Sequence, residues 1–450
     1  MEYDVTINLG EVAFGAKTHT VRRGAGAFYR DLLTSERFSP EDLRDLQWRR
    51  AQRAVDFALR ETAFYPKHYA EFGVAAGMPL TPDDWSRLPV LDRATVKAHA
   101  AGMTSSQATD ANSRPALTGG STGQPLATKH DARVPTLALS WRMYTWWGVD
   151  PWDNVARIGR WGFGRFETLK NDISWWPTKQ RYLDAALLTP ESMRRFHGAV
   201  TRIRPALIEG YVGSMLAFAD FIEDEGLRLD PPKAVATTAG PLTSSARARL
   251  ESVFGAPVFD EYRGAEVGWM AGECGQRNGL HIFADTRMIE VLDKDDRPLP
   301  AGQIGDIVIT DLTNRVFPLI RYRLGDRGAL MADPCPCGIS LPRMEQLDGR
   351  STDLLRLPGG SLLGHRLMAM FAKHPEAVRL FQIHQKADYA IVVRVVGGDG
   401  ADARTHIEQA VDGLRQRVDH AVPVTVEYVD SLPFSGGKIK YVISDVRVAD

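Results

Sequence analysis

Cysteine is scarce in this chain, with three in 450 residues. That number excludes a disulfide framework and points to a reducing compartment. Net charge is almost nil, 55 Lys and Arg against 56 Asp and Glu. The strongly basic face that marks a nucleic-acid binder is therefore not expected. No apolar run approaches the roughly 18 residues that a membrane span needs. The opening Met1-Glu-Tyr-Asp-Val-Thr lacks the basic-then-apolar pattern of a signal peptide. A cytoplasmic protein, with neither nucleic acid nor membrane as partner, is the expectation. Internal repeats and low-complexity blocks are missing too.

What is present is globular: 44% hydrophobic and 25% charged residues. The length allows two or three domains and a large core. The first part, to about residue 110, reads as mostly helical. Ser39-Pro40-Glu41-Asp42 is a cap with Pro in the first turn, and Leu43, Leu46, Ala54, Phe57 and Ala58 recur at helical spacing. From about residue 205 strands and helices alternate. Residues 233–238 form a buried strand, 245–254 an amphipathic helix and 257–262 the next strand, a unit that implies a parallel sheet. Residues 288–292 and 305–310 flank a turn-rich segment and predict an antiparallel hairpin. Runs at 378–385 and 389–396, a helix at 404–418 and a strand at 423–429 predict a small α+β domain. The fold class is α/β, with a large domain over 1–348, a hinge at 349–353 and a small domain over 354–450.

Against that frame several short motifs stand out. Thr118-Gly119-Gly120-Ser121-Thr122-Gly123 is too small and polar to pack a core, but it exposes backbone N–H groups and hydroxyls suited to phosphate oxygens. It is not a Walker A loop, because no Gly-Lys-Ser/Thr follows. Ala239-Gly240-Pro241 and Tyr262–Glu266 follow the carboxyl ends of consecutive strands, where open α/β sheets bind ligands. Glu266 there could hold a metal bridging phosphates, or be a solvated loop carboxylate. The run Val316–Ile320 leads through Arg321, Tyr322 and Arg323 into a Gly325-Asp326 turn, where Asp326 could accept both hydroxyls of a ribose. Gly349-Arg350-Ser351-Thr352-Asp353 follows, and near the end Lys438 stands in a Gly-rich loop.

These motifs, in this order, resemble the adenylate-forming superfamily of acyl-CoA synthetases, luciferases and adenylation domains, and within it the phenylacetate–CoA ligase-like family. The resemblance covers roughly residues 40–450. It implies a large N-terminal domain with mixed and parallel sheets and a small mobile C-terminal domain. It also implies ATP and Mg2+ as cofactors, and adenylation of a carboxylic acid with release of pyrophosphate. Thr118–Gly123 takes the place of the phosphate loop. Ala239, Gly240, Pro241, Glu261, Tyr262 and Arg263 take the adenine-site positions, and Glu266 holds magnesium. Asp326 and Arg350 bind the ribose, and Lys438 is the catalytic lysine. A homodimer is a family-level implication.

Three departures accompany the match. Ala265 replaces the hydroxyl residue that precedes the glutamate in the family motif, and Thr352 replaces a hinge aspartate. Residues 357–365 replace the segment leading to the pantetheine tunnel. The acceptor is therefore open between coenzyme A and an amine, a carrier protein or another nucleophile.

All three cysteines fall in two short turns, Cys274 with His281 seven residues on, and Cys335-Pro336-Cys337. Three thiols and an imidazole match a closed tetrahedral Cys3His zinc site of structural type. A zinc-containing subgroup of the resembled family carries zinc at such a place. Between 141 and 176 seven tryptophans cluster. Most belong to core packing. The stretch Arg160–Arg165 adds Trp161, Phe163 and Arg165 around two glycines, and with Gly240 it suggests a flat pocket for an aryl carboxylate.

Overall fold

The computed structural model describes residues 8–117, 126–160, 165–347, 349–350, 354–357, 360–363, 367, 369–371, 373–398, 402–418, 421–433 and 440–446. Two compact units interleave along the chain. One takes residues 1–20, 144–260 and 348–450, the other 21–143 and 261–347.

The first unit is built on parallel strands in the order Gln180–Asp184, Val155–Gly159, Leu207–Tyr211, Ala234–Thr238 and the start of Val258–Gly264. Val155–Gly159 and Ala234–Thr238 are buried at every position, as expected where helices cover both faces of a parallel sheet. The helix Pro190–Ile203 is started by a capping box between Thr189 and Ser192. It buries Met193, Phe196, Val200 and Ile203 at helical spacing. Gly210 must be glycine: a Cβ there would lie 2.8 Å from the Ile158 carbonyl oxygen. The predicted strand–helix–strand unit is observed as Ala234–Thr238, Ser244–Phe254 and Val258–Gly264.

The C-terminal stretch adds a four-stranded sheet in the order Val424–Tyr428, Ile391–Gly397, Val378–Gln385, Val442–Ser444. The helix Ala403–Arg417 buries Ile407, Val411 and Leu414 on one stripe and packs against this sheet. All four elements expected there are present, with boundaries within about two residues of those read from the sequence.

In the second unit the long helix Pro40–Glu61 starts as its sequence predicts. The Ser39 hydroxyl accepts the Asp42 N–H and Pro40 occupies the first turn. The expected hairpin is observed as Arg287–Leu292 paired antiparallel with Gly305–Asp311, and Tyr322–Gly328 pairs antiparallel with the latter. Arg321, just before that third strand, is fully buried with φ of 50°. Its guanidinium donates to the carbonyls of Trp85, Ser86 and Leu88 and pairs with Glu290. It thereby caps carbonyls at the end of the helix Pro82–Arg87.

A second buried arginine ties distant segments. Arg142 pairs with Asp285, both side chains having no exposure, and the Ser35 hydroxyl donates to the same carboxylate at 2.6 Å. Asp285→Ala should lower the unfolding free energy by about 3–5 kcal/mol, since it strands a buried guanidinium. Arg142→Met with Asp285→Leu should cost clearly less. Urea unfolding of the two variants checks this, and equal losses would reject the stranded-charge account.

Candidate functional site

The strand Val258–Gly264 turns back through Ala265, Glu266 and Val267 into Gly268–Glu273, with Gly264 opposite Gly268. Gly268, the first paired residue after the loop, has φ of 75°, a left-handed conformation that favours glycine. Glu266 thus sits at the tip of a tight hairpin. Both sides of the tip are anchored. The His130 ring bonds through Nε2 to the Ala265 carbonyl at 2.8 Å, and the Arg287 guanidinium donates to the carbonyls of Val267 and Trp269. A carbonyl can only accept, so His130 carries its proton on Nε2. Burial pushes this imidazole below its usual pKa and keeps it neutral.

Alternation along the strand separates its side chains. Glu261 and Arg263 form an ion pair with each other, and the Arg263 guanidinium lies 3.9 Å from the centre of the Trp269 ring. Tyr262 is buried, and its hydroxyl donates to Asp326 Oδ2 at 2.8 Å. Two positions assigned from the sequence to one nucleotide are therefore in direct contact.

Asp326 reaches Tyr262 because of a bulge, not the simple turn expected from Gly325-Asp326. Within Tyr322–Gly328, Arg323 pairs with Val308 and Arg327 with Asp306. Leu324, Gly325 and Asp326 lie opposite the single residue Ile307, and Gly325 takes φ of 82°. Arg323 turns instead to Asp296 and Asp306.

Glu266 Oε1 lies 3.6 Å from Arg93 Nη1, with only 12% of the glutamate side chain exposed. The solvated-carboxylate alternative is thereby ruled out. Tyr322, also buried, has its hydroxyl pKa raised by burial and then by the charge of Glu266. Arg93, His130 and Arg287 escaped the sequence reading. Arg93 did leave a trace: it follows the cap Asp92 in the first turn of the helix Arg93–Met103, where the helix dipole disfavours a cation. His130 and Arg287 left none.

The cysteine turns converge. Cys274 Sγ lies 3.7 Å from Cys335 Sγ, and Cys337 Sγ lies 3.3 Å from His281 Nε2. One ligand atom from each of the four residues falls within 4.8 Å of the others. His281 Nδ1 bonds to the Leu341 carbonyl at 3.0 Å, which turns the lone pair of Nε2 toward the sulfurs. The Ile339 N–H donates to Cys337 Sγ at 3.4 Å. Arg343 binds the carbonyls of Asn278, Asp333 and Pro334 and so joins the two turns.

Ala239, with φ of 65°, Gly240 and Pro241 follow the strand Ala234–Thr238 directly, as expected. Arg350 lies in the short strand Gly349–Arg350 and Arg165 begins the helix Arg165–Trp175. Thr118–Gly123, Trp161, Phe163, Asp353 and Lys438 lie outside the described residues. Among the tryptophans, Trp141 and Trp147 are core, the latter stacked on Phe259 with ring centres 4.9 Å apart.

Residues 354–445 match the CapK C-terminal domain family. Over 149 residues the chain is 34% identical to a phenylacetate–coenzyme A ligase of Thermus thermophilus, covering 32% of this chain and 34% of that protein. A phenylacetate–coenzyme A ligase of Aromatoleum evansii is 28% identical over 230 residues, 49% of this chain and 51% of the relative. The chain thus spans about a third to a half of the length of these curated relatives. A 2-hydroxyisobutyryl-CoA ligase, crystallised in the postadenylation state with R3-HIB-AMP, superimposes with a TM-score of 0.74 at 21% identity over 89% of both chains. The fold is that of adenylate-forming ligases. The large α/β part with a smaller C-terminal part, expected from the motif order, is therefore correct.

The cysteine cluster carries a pH signature of its own. Burial pushes His281 from 6.5 down to about 4 in the metal-free protein. Between those values the unfolded chain binds a proton that the folded chain refuses, so stability falls as pH drops from 6.5 to about 4. The loss should approach about 3 kcal/mol. Urea unfolding of chelator-treated protein at pH 7, 5.5 and 4 reads it. His281→Gln should flatten that part of the profile, and an unchanged slope would assign the acid sensitivity elsewhere.

Proposed function

We propose that this chain is an AMP-forming ligase. It adenylates a carboxylic acid with ATP, releases pyrophosphate and passes the acyl group to coenzyme A. The observation that carries the reading is the Tyr262–Asp326 hydrogen bond beside the hairpin tip that holds Glu266. The Tyr262 phenol donates to Asp326 Oδ2, and a carboxylate there is the acceptor that could take both hydroxyls of a ribose. Glu266 is a hard oxygen donor whose contact with Arg93, at 3.6 Å, is longer than a charge-assisted hydrogen bond. It would hold the magnesium ion of the nucleotide complex, which neutralises phosphate charge. The amides of Thr118–Gly123 would cradle the departing pyrophosphate. Ala239, Gly240 and Pro241 would shape the adenine site. Arg350 would add a contact to the ribose.

In the first half-reaction the substrate carboxylate attacks the α-phosphorus, and negative charge builds on the phosphoryl oxygens. Lys438, carried by the small domain over 354–450, would stabilise that charge. Rotation about 349–353 would then withdraw Lys438 and admit the acceptor. The acid is an aryl or arylalkyl carboxylate in this reading, on the strength of Trp161 and Phe163 around Gly162 and Gly164, with Arg165 to orient it. The relatives' names support coenzyme A as acceptor. The altered 357–365 segment keeps an amine, a carrier protein or another nucleophile as the second reading. A cytoplasmic homodimer completes the proposal.

Pyrophosphate exchange over a panel of aryl and aliphatic acids, followed by product analysis with and without coenzyme A, tests both readings. Failure of every acid to support exchange would overturn adenylation. Thioester formation decides for coenzyme A, and an amide or carrier-bound product for the alternative. Lys438→Ala should suppress exchange by about 10²–10³. It should leave the reaction of presynthesised acyl-adenylate with the acceptor nearly intact, and equal loss in both would remove the two-conformation mechanism.

The cysteine cluster would hold a structural zinc ion. Ligands about 2.3 Å from a tetrahedral zinc place two sulfurs about 3.8 Å apart, close to the 3.7 Å between Cys274 and Cys335. Four protein donors leave no open position, so the metal would pin the segment after Glu266 to the loop beyond Asp326. Burial raises the Cys337 thiol to about 12, so binding must displace its proton. Metal analysis of protein purified without added zinc should find about one equivalent at the thiolate cluster. Cys335→Ser should lose it and melt at lower temperature, and a well-folded zinc-free preparation would refute the assignment.

A further inference from the structure

Away from the cysteine turns, a second set of donor atoms converges in the C-terminal part of the chain. His374 and Glu376 flank Pro375 at the short helical turn Pro375–Ala377, and His406 lies in the first turns of the helix Ala403–Arg417. The two imidazole rings stack with centres 3.6 Å apart and planes 8° from parallel. Stacking alone does not fix which ring edges coincide. Here both Nδ1 atoms face one carboxylate oxygen, Glu376 Oε1, at 3.4 Å from His374 and 3.8 Å from His406. Both contacts exceed the usual hydrogen-bond length. The three groups therefore converge without satisfying one another, and ligand atoms from all three lie within 4.8 Å.

We infer that His374, Glu376 and His406 form a divalent transition-metal site, separate from the cysteine cluster. Ligands about 2.0–2.1 Å from a metal in tetrahedral or octahedral array sit about 3–3.4 Å from one another. Closing the set around an ion thus takes a shift of about half an ångström, plus a turn of the rings toward the metal. Two imidazoles and one carboxylate select zinc, nickel, copper or iron over the hard calcium and magnesium ions. The side chains of His374, Glu376 and His406 are 40%, 59% and 25% exposed. A bound ion would therefore keep water in its remaining positions.

The backbone beneath the donors is fixed before any metal binds. The Ala377 N–H donates to the His374 carbonyl at 3.1 Å, and the Gly398 N–H to the Ala377 carbonyl at 2.9 Å. Gly398 approaches so closely that a Cβ would fall 2.0 Å from the Glu376 carbonyl oxygen. The His406 N–H in turn donates to the Asp402 carbonyl at 3.0 Å. A metal would staple the 374–376 turn to the helix Ala403–Arg417. That turn also packs on the helix Ser244–Phe254, so the staple acts where the C-terminal elements meet the parallel-sheet layer.

Calorimetric titration of chelator-treated full-length protein with zinc chloride, and separately with nickel chloride, tests the site. The wild type should bind zinc in two distinguishable classes, and saturating nickel should raise its melting temperature. His374→Ala and His406→Ala should each lose one class and the nickel-dependent rise, while Cys335→Ser keeps the histidine class and the nickel-dependent rise. Cobalt separates the classes, because only the cysteine cluster gives thiolate charge-transfer absorption. The readout is the change caused by the histidine substitutions, so it stands whether or not the cysteines bind zinc. The inference is overturned if the histidine variants take up as much zinc as the wild type and keep its nickel response.

Discussion

One strand carries the candidate site. Val258–Gly264 pairs in parallel with its neighbour on one side and antiparallel with the strand that follows it on the other. A parallel partner demands a long crossover, whereas an antiparallel one permits a hairpin of three residues. The change of direction at this strand is what allows a tight loop at its end. Because that loop is so short, Glu266 sits immediately beyond the strand that carries Tyr262. With any longer connection the carboxylate would lose the two anchors, His130 and Arg287, that hold the carbonyls around it.

Three buried arginines of the second unit join segments of the chain. Arg142, Arg287 and Arg321 are each almost wholly buried, and each spends its donors on a carboxylate together with backbone carbonyls or a hydroxyl. A guanidinium suits this work because its planar fork reaches several acceptors at once. Arg93 differs from these three. It is a third exposed and meets its carboxylate at a looser distance.

The elements were legible in the sequence wherever local pattern decides structure. Ser39-Pro40 starts its helix, the alternation near 290 and 308 gives its hairpin, and the C-terminal elements fall where periodicity places them. Less was legible where a distant partner decides. Gly325-Asp326 reads locally as a turn, but the register against Ile307 makes it a bulge within a strand. Arg321 reads as a neighbour of the nucleotide motif, yet helix-end carbonyls more than 230 residues away take its donors. Glu261 and Arg263 share a motif with Tyr262, while strand alternation sends them to the other face. The cysteines were legible because their rarity removes chance as an explanation.

The interleaved course of the chain has a consequence for how the protein is made. The second unit needs residues 21–143 and then 261–347, so the ribosome must deliver over a hundred residues of the other unit in between. At about 5–20 residues per second, Arg142 emerges on the order of ten seconds before Asp285. Over that interval its guanidinium lacks the Asp285 carboxylate, and the long helix beginning at Pro40 lacks the strand Arg287–Leu292 that it packs on. Nascent chains of this design therefore spend a fixed part of synthesis with core-forming surface uncovered. Slow translation of residues 144–260 would lengthen that exposure, and a chaperone that holds the early helices would shorten its cost.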